Sequence, residues 1–291
     1  MKQEMARSIA GWLVGFAAAC ATSVVLALLL AAAIRLHDRV AIVLASIGLL
    51  VGAYQFGGAA LSGFGRADRE STAQGSEVRL ITQSTWHSNP DPEALLRTIE
   101  RQRPDIAVLQ ETDRATAQAV DRMLPGYHRI KSCRWQHCSL TMLSRWPLRR
   151  IQLKSPRHAA LPDLLIADVS APFGNFRVIG VHLPRPGSPK FATFADQLTQ
   201  IARESESTPL VVAGDFNTAT GSFGLSRFAR ATRLRRIDGY LPTYPAHMTI
   251  PAFMGIDHVF IGKGWRQAGC RRVKGAASDH HGIACLLRMV P

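Results

Sequence analysis

The sequence predicts a mixed α/β domain of two β-sheets with outer helices, preceded by two transmembrane helices. Three observations lead to this fold class. Long uncharged stretches fill most of the first 65 residues. Helical and strand patterns alternate from residue 77 to residue 123, and short strands separated by turns follow. Acidic, amide and histidine side chains then stand at the ends of successive strands.

The two uncharged stretches predict a membrane anchor. No charged side chain occurs in residues 8–34 or 40–65, and the polar loop Arg35–Arg39 separates them. A helix that crosses a bilayer needs about 20 apolar residues, and a cleaved signal peptide has a shorter apolar core. We therefore expect a multi-pass protein of the cell (inner) membrane. The predicted divisions are an anchor at 1–65 with spans at about 9–34 and 40–62, a linker at 66–76 and a large domain at 77–291.

The side of the membrane that carries the large domain stays open. Four of the six Lys and Arg residues near the spans flank them and two lie in the connecting loop, which favours cytoplasmic flanks. Cys133 and Cys138, however, bracket a short polar loop that a disulfide could close, and a disulfide would require an oxidising compartment.

The charge of the large domain indicates anionic partners. Residues 1–65 contain four Lys or Arg and two Asp or Glu, so residues 66–291 retain +12 of the formal +14. Such an excess favours nucleic acid, anionic lipid or phosphorylated small molecules, without choosing among them.

The elements of the large domain follow from apolar periodicity and turn residues. Helices are predicted at Glu93–Gln102, 114–123 and Phe191–Arg203. Strands are predicted at Glu77–Gln83, Ile106–Leu109, Ser139–Ser144, Leu164–Val169, Phe176–Val181, Leu210–Ala213, Ile256–Ile261 and Gly282–Leu287.

The stretch from Leu210 to Asn217 is the most informative part of the chain. Four apolar residues and a glycine precede Asp215 and Asn217, which flank Phe216. Because side chains alternate along an extended chain, the carboxylate and the amide can point the same way. A carboxylate can take a proton from water or bind a metal, and an amide can orient that water. Taken alone, the stretch is also compatible with a turn that closes a strand.

Other polar residues stand at the ends of predicted strands and favour a shared site at one edge of the sheets. They are Glu111, His182, Asp257, His258, Asp279, His280 and His281. An oxygen-rich set suits Mg²⁺ or Mn²⁺ better than zinc. A hard cation beside histidines and a basic surface is typical of phosphate-ester hydrolysis. Each residue alone could instead be a structural cap or a core histidine.

Six motifs occur in a characteristic order. They are Leu109–Gln110–Glu111, Leu143–Ser144–Arg145–Trp146–Pro147, Val181–His182–Leu183, Gly214–Asp215–Phe216–Asn217, Ile256–Asp257–His258–Val259 and Ser278–Asp279–His280–His281. In this order they resemble the endonuclease/exonuclease/phosphatase superfamily over roughly residues 77–291. That superfamily includes deoxyribonucleases, abasic-site endonucleases, neutral sphingomyelinases and inositol-polyphosphate 5-phosphatases, and its membrane-anchored bacterial members look most similar.

The resemblance implies a four-layer sandwich and a catalytic Mg²⁺, with Mn²⁺ possible. It implies that Glu111 and Asp279 bind the metal. The first strand of the family usually ends in an asparagine that helps to hold the metal, and Ser84 stands at that position here. A hydroxyl is a poorer ligand than an amide carbonyl. Gln83 would substitute for it if the strand register shifted by one residue.

The resemblance also implies the catalytic roles. Asp215 orients or deprotonates the attacking water and Asn217 assists it. His280 contacts the scissile phosphate while Asp257 holds its ring, and His182 lies on the phosphate or leaving-group side.

The expected function is a membrane-anchored, divalent-metal-dependent phosphodiester hydrolase of the endonuclease/exonuclease type, with no protein partner. For a nucleic-acid substrate, Arg134, Trp135 and the cluster Arg227–Arg236 are candidates for a basic groove. For an anionic lipid substrate, Pro251–Met254 is a candidate apolar lip. If Ser84 has disabled the metal site, the domain would instead be a membrane-tethered module that binds phosphate or nucleic acid.

Overall fold

The computed structural model describes residues 40–43, 46, 77–134, 137–151, 164–248 and 251–290. The chain divides into two units, Met1–Phe64 and Gly65–Pro291. In the first unit the described residues are helical and fall in the second predicted membrane span. The first predicted span and the rest of the second lie outside the described residues. In the part of the chain that the structure describes, no helix combines the length and the apolar character needed to cross a bilayer.

The described residues of the second unit form two six-stranded mixed sheets that pack face to face. The strands are β1 Glu77–Ser84, β2 Ile106–Gln110, β3 His128–Arg134, β4 His137–Ser144, β5 Leu148–Arg150, β6 Leu164–Ala171, β7 Gly174–His182, β8 Leu210–Asp215, β9 Arg235–Arg236, β10 Asp257–Ile261, β11 Trp265–Val273 and β12 Gly282–Met289. The first sheet has the order β11-β12-β1-β2-β4-β3 and the second has the order β5-β6-β7-β8-β10-β9. The pairs β1–β2 and β7–β8 are parallel, and the other pairs are antiparallel.

Four helices cover the outer faces of the sheets in the described part of the chain. They are α1 Pro92–Arg101, α2 Arg114–Met123, α3 Phe191–Glu204 and α4 Phe223–Thr232. α1 and α2 pack on the first sheet, and α3 and α4 pack on the second. The layers therefore run helix, sheet, sheet, helix, which confirms the predicted sandwich of two mixed sheets with flanking helices.

Side-chain alternation divides each central strand between two cores. In β8, Val211 and Ala213 belong to the core between the sheets, whereas Leu210 and Val212 pack against α3 and α4. The same alternation directs Asp215, the last residue of β8, towards the other sheet. The strand that builds the core thus also places its terminal carboxylate between the two sheets.

The structure contains four strands that the sequence patterns do not predict, namely β3, β5, β9 and β11, and all four are edge strands. Edge strands carry charged side chains that face solvent, so their apolar alternation is weak. Helix α4 is also absent from the predicted elements. The cluster Arg227–Arg236, suggested as part of a nucleic-acid groove, is divided between α4 and β9.

The disulfide in the described residues joins Cys270 and Cys285, which face each other across β11 and β12. Cys133 and Cys138 are opposed in the register of β3 and β4. Their side chains lie outside the description, so a bond between them stays a prediction.

Gly214 is required by a close approach between β7 and β8. Its φ is +152°, and a Cβ at this position would lie 1.9 Å from the carbonyl oxygen of Val181. Only glycine combines this backbone conformation with the missing side chain. The residue lets β8 lie against β7 directly before Asp215.

We expect Gly214→Ala to lower the free energy of unfolding by about 3 kcal/mol, because the new methyl group meets backbone and the backbone angle is strained. Gly126→Ala is the matched control, since a Cβ there meets nothing within 4 Å. Chemical denaturation of both variants measures the difference. Equal stability of the two variants would contradict this account of β7 and β8.

Candidate active site

Four of the predicted site residues lie at strand ends on the faces between the sheets: Ser84 in β1, His182 in β7, Asp215 in β8 and Asp257 in β10. In each strand, the residue two or four positions away belongs to the core between the sheets. Alternation therefore brings all four side chains to the same cleft.

Strand register places three of these side chains in one row. His182 pairs with Asp215 across β7 and β8, and Asp215 pairs with Asp257 across β8 and β10. The row forms one wall of the cleft and comes entirely from the second sheet. The opposite wall comes from the ends of β1 and β2 and from the loop before β12.

His280, in the loop before β12, forms a buried ion pair with Asp257 across the two sheets. Its Nδ1 lies 2.9 Å from Oδ2 of Asp257, and both side chains are buried. Burial alone would lower the pKa of His280, but the charges of Asp257, Asp215 and Asp279 and the hydrogen bond with Asp257 raise it to about 10. The ring is therefore a cation at neutral pH.

Asp215 is buried, and its neighbour Asn217 holds both of its oxygens. The backbone N–H of Asn217 donates to Oδ1 at 2.7 Å, and Nδ2 donates to Oδ2 at 3.2 Å. Nδ2 also donates to the carbonyl of Leu183, which fixes the amide. Burial and the charge of Asp257 raise the pKa of Asp215 to about 6. A carboxylate with such a pKa is suited to accept a proton near neutral pH.

The side chains of Asp215, Asp257 and His280 form a compact group. One possible ligand atom from each residue lies within 4.8 Å of the others, so the group has the spacing of a metal site. Because the His280 ring is already a cation paired with Asp257, we interpret the group as a charge network.

Glu111 follows β2 and lies beside this group. Its Oε1 is 3.6 Å from Nε2 of His182, and the same nitrogen lies 4.0 Å from Oδ2 of Asp215. Its Oε2 accepts from the backbone N–H of His87 at 3.2 Å and lies 3.0 Å from the ring Nδ1 of His87. Burial opposes ionisation of Glu111, but the hydrogen bonds of His87 and the charge of His182 hold its pKa below the usual value.

Ser84 and Asp279 lie on the same side of the cleft as Glu111. The hydroxyl of Ser278, next to Asp279, donates to the carbonyl of Ser84 at 2.8 Å. Burial raises the pKa of Asp279; the positive charge of His280 opposes this rise, and the negative charge of Glu111 adds to it. Glu111 and Asp279 are therefore close enough to interact electrostatically.

The donor atoms on this side fit a divalent cation. Oγ of Ser84 and Oδ1 of Asp279 are buried and have no hydrogen-bond partner among the described residues. Buried polar atoms without partners are uncommon and costly. A carboxylate pair with a hydroxyl is a set of oxygen ligands that suits a hard cation. The residue types present therefore fit a divalent cation.

Gln83 does not take the place of Ser84. Its Nε2 donates to the carbonyls of Ser84 and His280 at 2.6 and 3.0 Å, and its Oε1 packs so closely on Gly282 that a Cβ there would lie 2.5 Å away. The register of β1 puts it on the opposite strand face from Ser84. The suggested shift by one residue is therefore wrong, and Gln83 instead ties β1 to the His280 loop.

Two histidines of the sequence motifs have structural positions. His258 is fully buried on the helix side of β10, with Nδ1 2.9 Å from Asp238 and Nε2 2.8 Å from the carbonyl oxygen of Thr218. His281 has its pKa lowered to about 4 by burial and by the charges of Arg272 and Lys274, so it is neutral.

Several side chains of the cleft are not predicted by the sequence patterns. Tyr244 packs on His280 with ring centroids 5.1 Å apart, and Trp86 stacks on His247 with centroids 5.5 Å apart. These residues and His87 lie in loops without periodicity, so only the folded chain brings them to the site. Trp135 lies outside the described residues.

Solved structures of low sequence identity share the fold. A Bacteroides vulgatus endonuclease/exonuclease/phosphatase is 17% identical with a TM-score of 0.62, covering 74% of this chain and all of that one. D. rerio TDP2 complexed with a single-strand DNA product is 16% identical with a TM-score of 0.60 over the same shares of the two chains. A beta toxin variant from Staphylococcus aureus with bound magnesium ions is 13% identical with a TM-score of 0.56, over 72% of this chain and 99% of that one.

At these identities the likeness shows the fold alone. Among curated proteins, none matches the chain. The sequence profile of the endonuclease/exonuclease/phosphatase family, which includes metal-dependent nucleases, phosphodiesterases and phosphatases, matches residues 75–280. Because this match covers most of the chain, the chain belongs to the endonuclease/exonuclease/phosphatase family.

Proposed function

We propose that the chain is a divalent-metal-dependent phosphodiester hydrolase. The observation that carries this proposal is the buried charge network of Asp215, Asp257 and His280 with Glu111 beside it. It combines a carboxylate that accepts a proton near neutral pH with a fixed cation in one cleft. Members of the family are generally hydrolases of phosphoester bonds.

Glu111, Asp279 and Ser84 would hold the metal. When bound, a divalent cation supplies Lewis-acid polarisation of the phosphate. His87 and His182 favour the ionised form of Glu111. This side of the cleft therefore carries a negative charge that attracts a cation. Magnesium, or manganese in its place, is the cation that the oxygen ligands favour.

Asp215 would accept the proton of the attacking water. Both of its oxygens are oriented by Asn217, which is itself fixed by the carbonyl of Leu183. This arrangement holds the carboxylate in one position without rearrangement during the reaction, which is the condition for efficient general-base catalysis.

His280 and His182 would stabilise negative charge. The imidazolium of His280 is oriented by the contact of its Nδ1 with Asp257, and its Nε2 would bind a phosphate oxygen. Nε2 of His182, between Glu111 and Asp215, is placed to serve the phosphate or the leaving oxygen.

For the substrate we propose nucleic acid. The +12 charge of residues 66–291 favours a polyanion. The half-buried Trp86 stacks on the exposed His247, and aromatic surfaces of this kind support bases of single strands. In the shared fold, TDP2 binds a single-strand DNA product.

An anionic lipid is the second candidate, because apolar side chains are exposed on a loop that contacts His280 through Tyr244. Tyr244, which packs on His280, pairs with Met254 across a loop whose residues 249 and 250 are not described. On this loop Met248 is 54% exposed and Phe253 is 46% exposed. Exposed apolar groups beside a catalytic cleft suit contact with a bilayer.

We also propose that residues 1–65 anchor the enzyme in a membrane, with the large domain on the oxidising side. The uncharged stretches support the anchor. The Cys270–Cys285 disulfide supports a position on the oxidising side of the membrane, since disulfides persist in oxidising compartments.

We expect Asp215→Asn and His280→Ala each to lower the rate of metal-dependent hydrolysis of bis-p-nitrophenyl phosphate by about 100-fold or more, because each removes a group that acts on the reacting atoms. Asp196→Asn is the control, since this carboxylate is exposed on α3. Initial rates with Mg²⁺ or Mn²⁺, and with a chelator, measure the effect.

Full activity of either cleft variant would remove the catalytic assignment. The binding-module alternative predicts a different pattern: neither metal raises the melting temperature of the full chain, while an oligonucleotide does. A bound metal at a hundredfold excess over its dissociation constant would add about 2.7 kcal/mol of stability.

We expect supercoiled plasmid to be cleaved faster than labelled anionic phospholipid vesicles. The double variant Met248→Ser and Phe253→Ser separates the two substrates, because it removes apolar surface without touching the charge network. Unchanged plasmid cleavage is the expected result. Turnover of vesicles alone, lost in the double variant, would replace nucleic acid with lipid as the substrate.

We expect the full chain to stay in the membrane fraction after alkaline extraction, and a chain lacking residues 1–65 to be released. In spheroplasts of a Gram-negative host, external protease should cleave the large domain, and peptide mapping should recover the Cys270–Cys285 linkage. A protected domain with free thiols would place it on the reducing side.

A further inference from the structure

We propose that His87 supplies a nitrogen ligand to the metal site and that the site therefore binds Mn²⁺ in preference to Mg²⁺. This inference rests on the proposed metal-dependent function and specifies its metal. It follows from the replacement at Ser84, from the position of His87 against Glu111 and from the construction of the loop between them.

Ser84 leaves the cleft short of one ligand atom. Its side chain is completely buried and points into the cleft, and its Oγ has no hydrogen-bond partner among the described residues. A hydroxyl on a single methylene reaches less far than an amide and is a weaker neutral ligand. A cation next to Glu111 and Asp279 would therefore need another donor from the protein.

The ring of His87 lies beside Glu111, one of the proposed ligands. Its Nδ1 is 3.0 Å from Oε2 of Glu111. Neighbouring ligands of an octahedral ion with bond lengths of about 2.1 Å lie about 3.0 Å apart. The two atoms thus have the spacing of adjacent ligands of one ion.

The backbone of His87 also holds the carboxylate, independently of the ring. Oε2 of Glu111 already accepts a hydrogen bond from the backbone N–H of His87, at 3.2 Å. The His87 side chain is 70% exposed, so no packing fixes its ring for a structural purpose. Its Nδ1, which contacts Oε2 of Glu111, can therefore turn towards a cation bound at this carboxylate.

The loop that carries His87 is built rigidly. The Thr85 hydroxyl donates to the carbonyls of Gln110 and Glu111, both at 2.9 Å, and the Asn89 amide donates to the carbonyl of Thr85 at 3.0 Å. Trp86 adopts a φ of +59°, which is unusual for a bulky residue. The loop and Glu111 are therefore tied together, and the backbone of His87 is held beside the carboxylate.

Replacing an oxygen ligand by an imidazole changes the metal preference. Imidazole nitrogen binds divalent transition ions well, whereas Mg²⁺ takes oxygen ligands and keeps its waters. A site with Glu111, Asp279 and His87 should hence favour Mn²⁺ more strongly than a site with oxygen ligands alone.

Mn²⁺ is a probe that reports on its ligands directly. The full chain, with all histidines labelled with ¹⁵N, is loaded with Mn²⁺, and electron spin echo modulation detects nitrogen bound to the ion. We expect a nitrogen coupling that is present in the wild type and in His128→Ala, and lost in His87→Ala. His128 is the matched control because it is an exposed histidine at the start of β3.

Competition titrations of Mn²⁺ against Mg²⁺ supply the second measurement. His87→Ala should weaken Mn²⁺ binding by about tenfold or more, and weaken Mg²⁺ binding much less.

Absence of a nitrogen coupling in the wild type, or its persistence in His87→Ala, would overturn the proposal. An equal loss for both metals without a coupling would also overturn it, since His87 would then only position Glu111. In each of these cases the ion still binds and the proposed function stands, whereas a chain that binds neither ion would refute both.

Discussion

The buried pair of Asp257 and His280 joins the two halves of the molecule at the point where chemistry is expected. Asp257 begins a strand of the second sheet, and His280 precedes a strand of the first. Charges buried in this way are costly to separate, because removing one partner leaves the other unpaired at a cost of about 3–5 kcal/mol. The pair can form only if the sheets pack with their strand ends aligned. The packing that builds the core therefore also fixes the relative positions of the carboxylates and imidazoles in the cleft.

Backbone strain is concentrated around this cleft. Trp86, Glu111 and Asn217 have φ values of +59°, +53° and +48°, although none is glycine. Such conformations cost about 1–3 kcal/mol each and persist only where neighbouring structure imposes them. Here the neighbours are the ends of central strands: the backbone N–H of Glu111 donates to the carbonyl of Ser139, and Asn217 is held by Asp215. The strained turns redirect the chain so that polar side chains enter the cleft while the strands remain apolar.

The sequence predicts the central strands of the fold, and the site residues at their ends, from the pattern of apolar residues. The central strands are largely apolar, but the choice between Ser84 and Gln83 follows only from the register of β1 in the folded chain. The edge strands lack this signal because their outer side chains face water. In the same way Glu111 and Asp215 are predicted because they terminate buried strands, whereas His87 and His247 lie in loops. Their contacts depend on the conformation of the loops and on residues distant in sequence. A local sequence pattern predicts neither of these.

The charge distribution in the cleft argues against a role in simple phosphate binding. Asp215, Asp257, Asp279 and Glu111 bring four carboxylates together, and the imidazolium of His280 is already paired with one of them. A phosphate that entered such a site without a cation would meet a net negative field, and like charges in a partly buried cleft repel strongly. A site evolved only to bind phosphate would offer basic side chains instead. A phosphodiester can bind favourably beside these carboxylates only when a divalent cation neutralises them. A cation, a carboxylate that accepts a proton and a fixed imidazolium are together what hydrolysis requires.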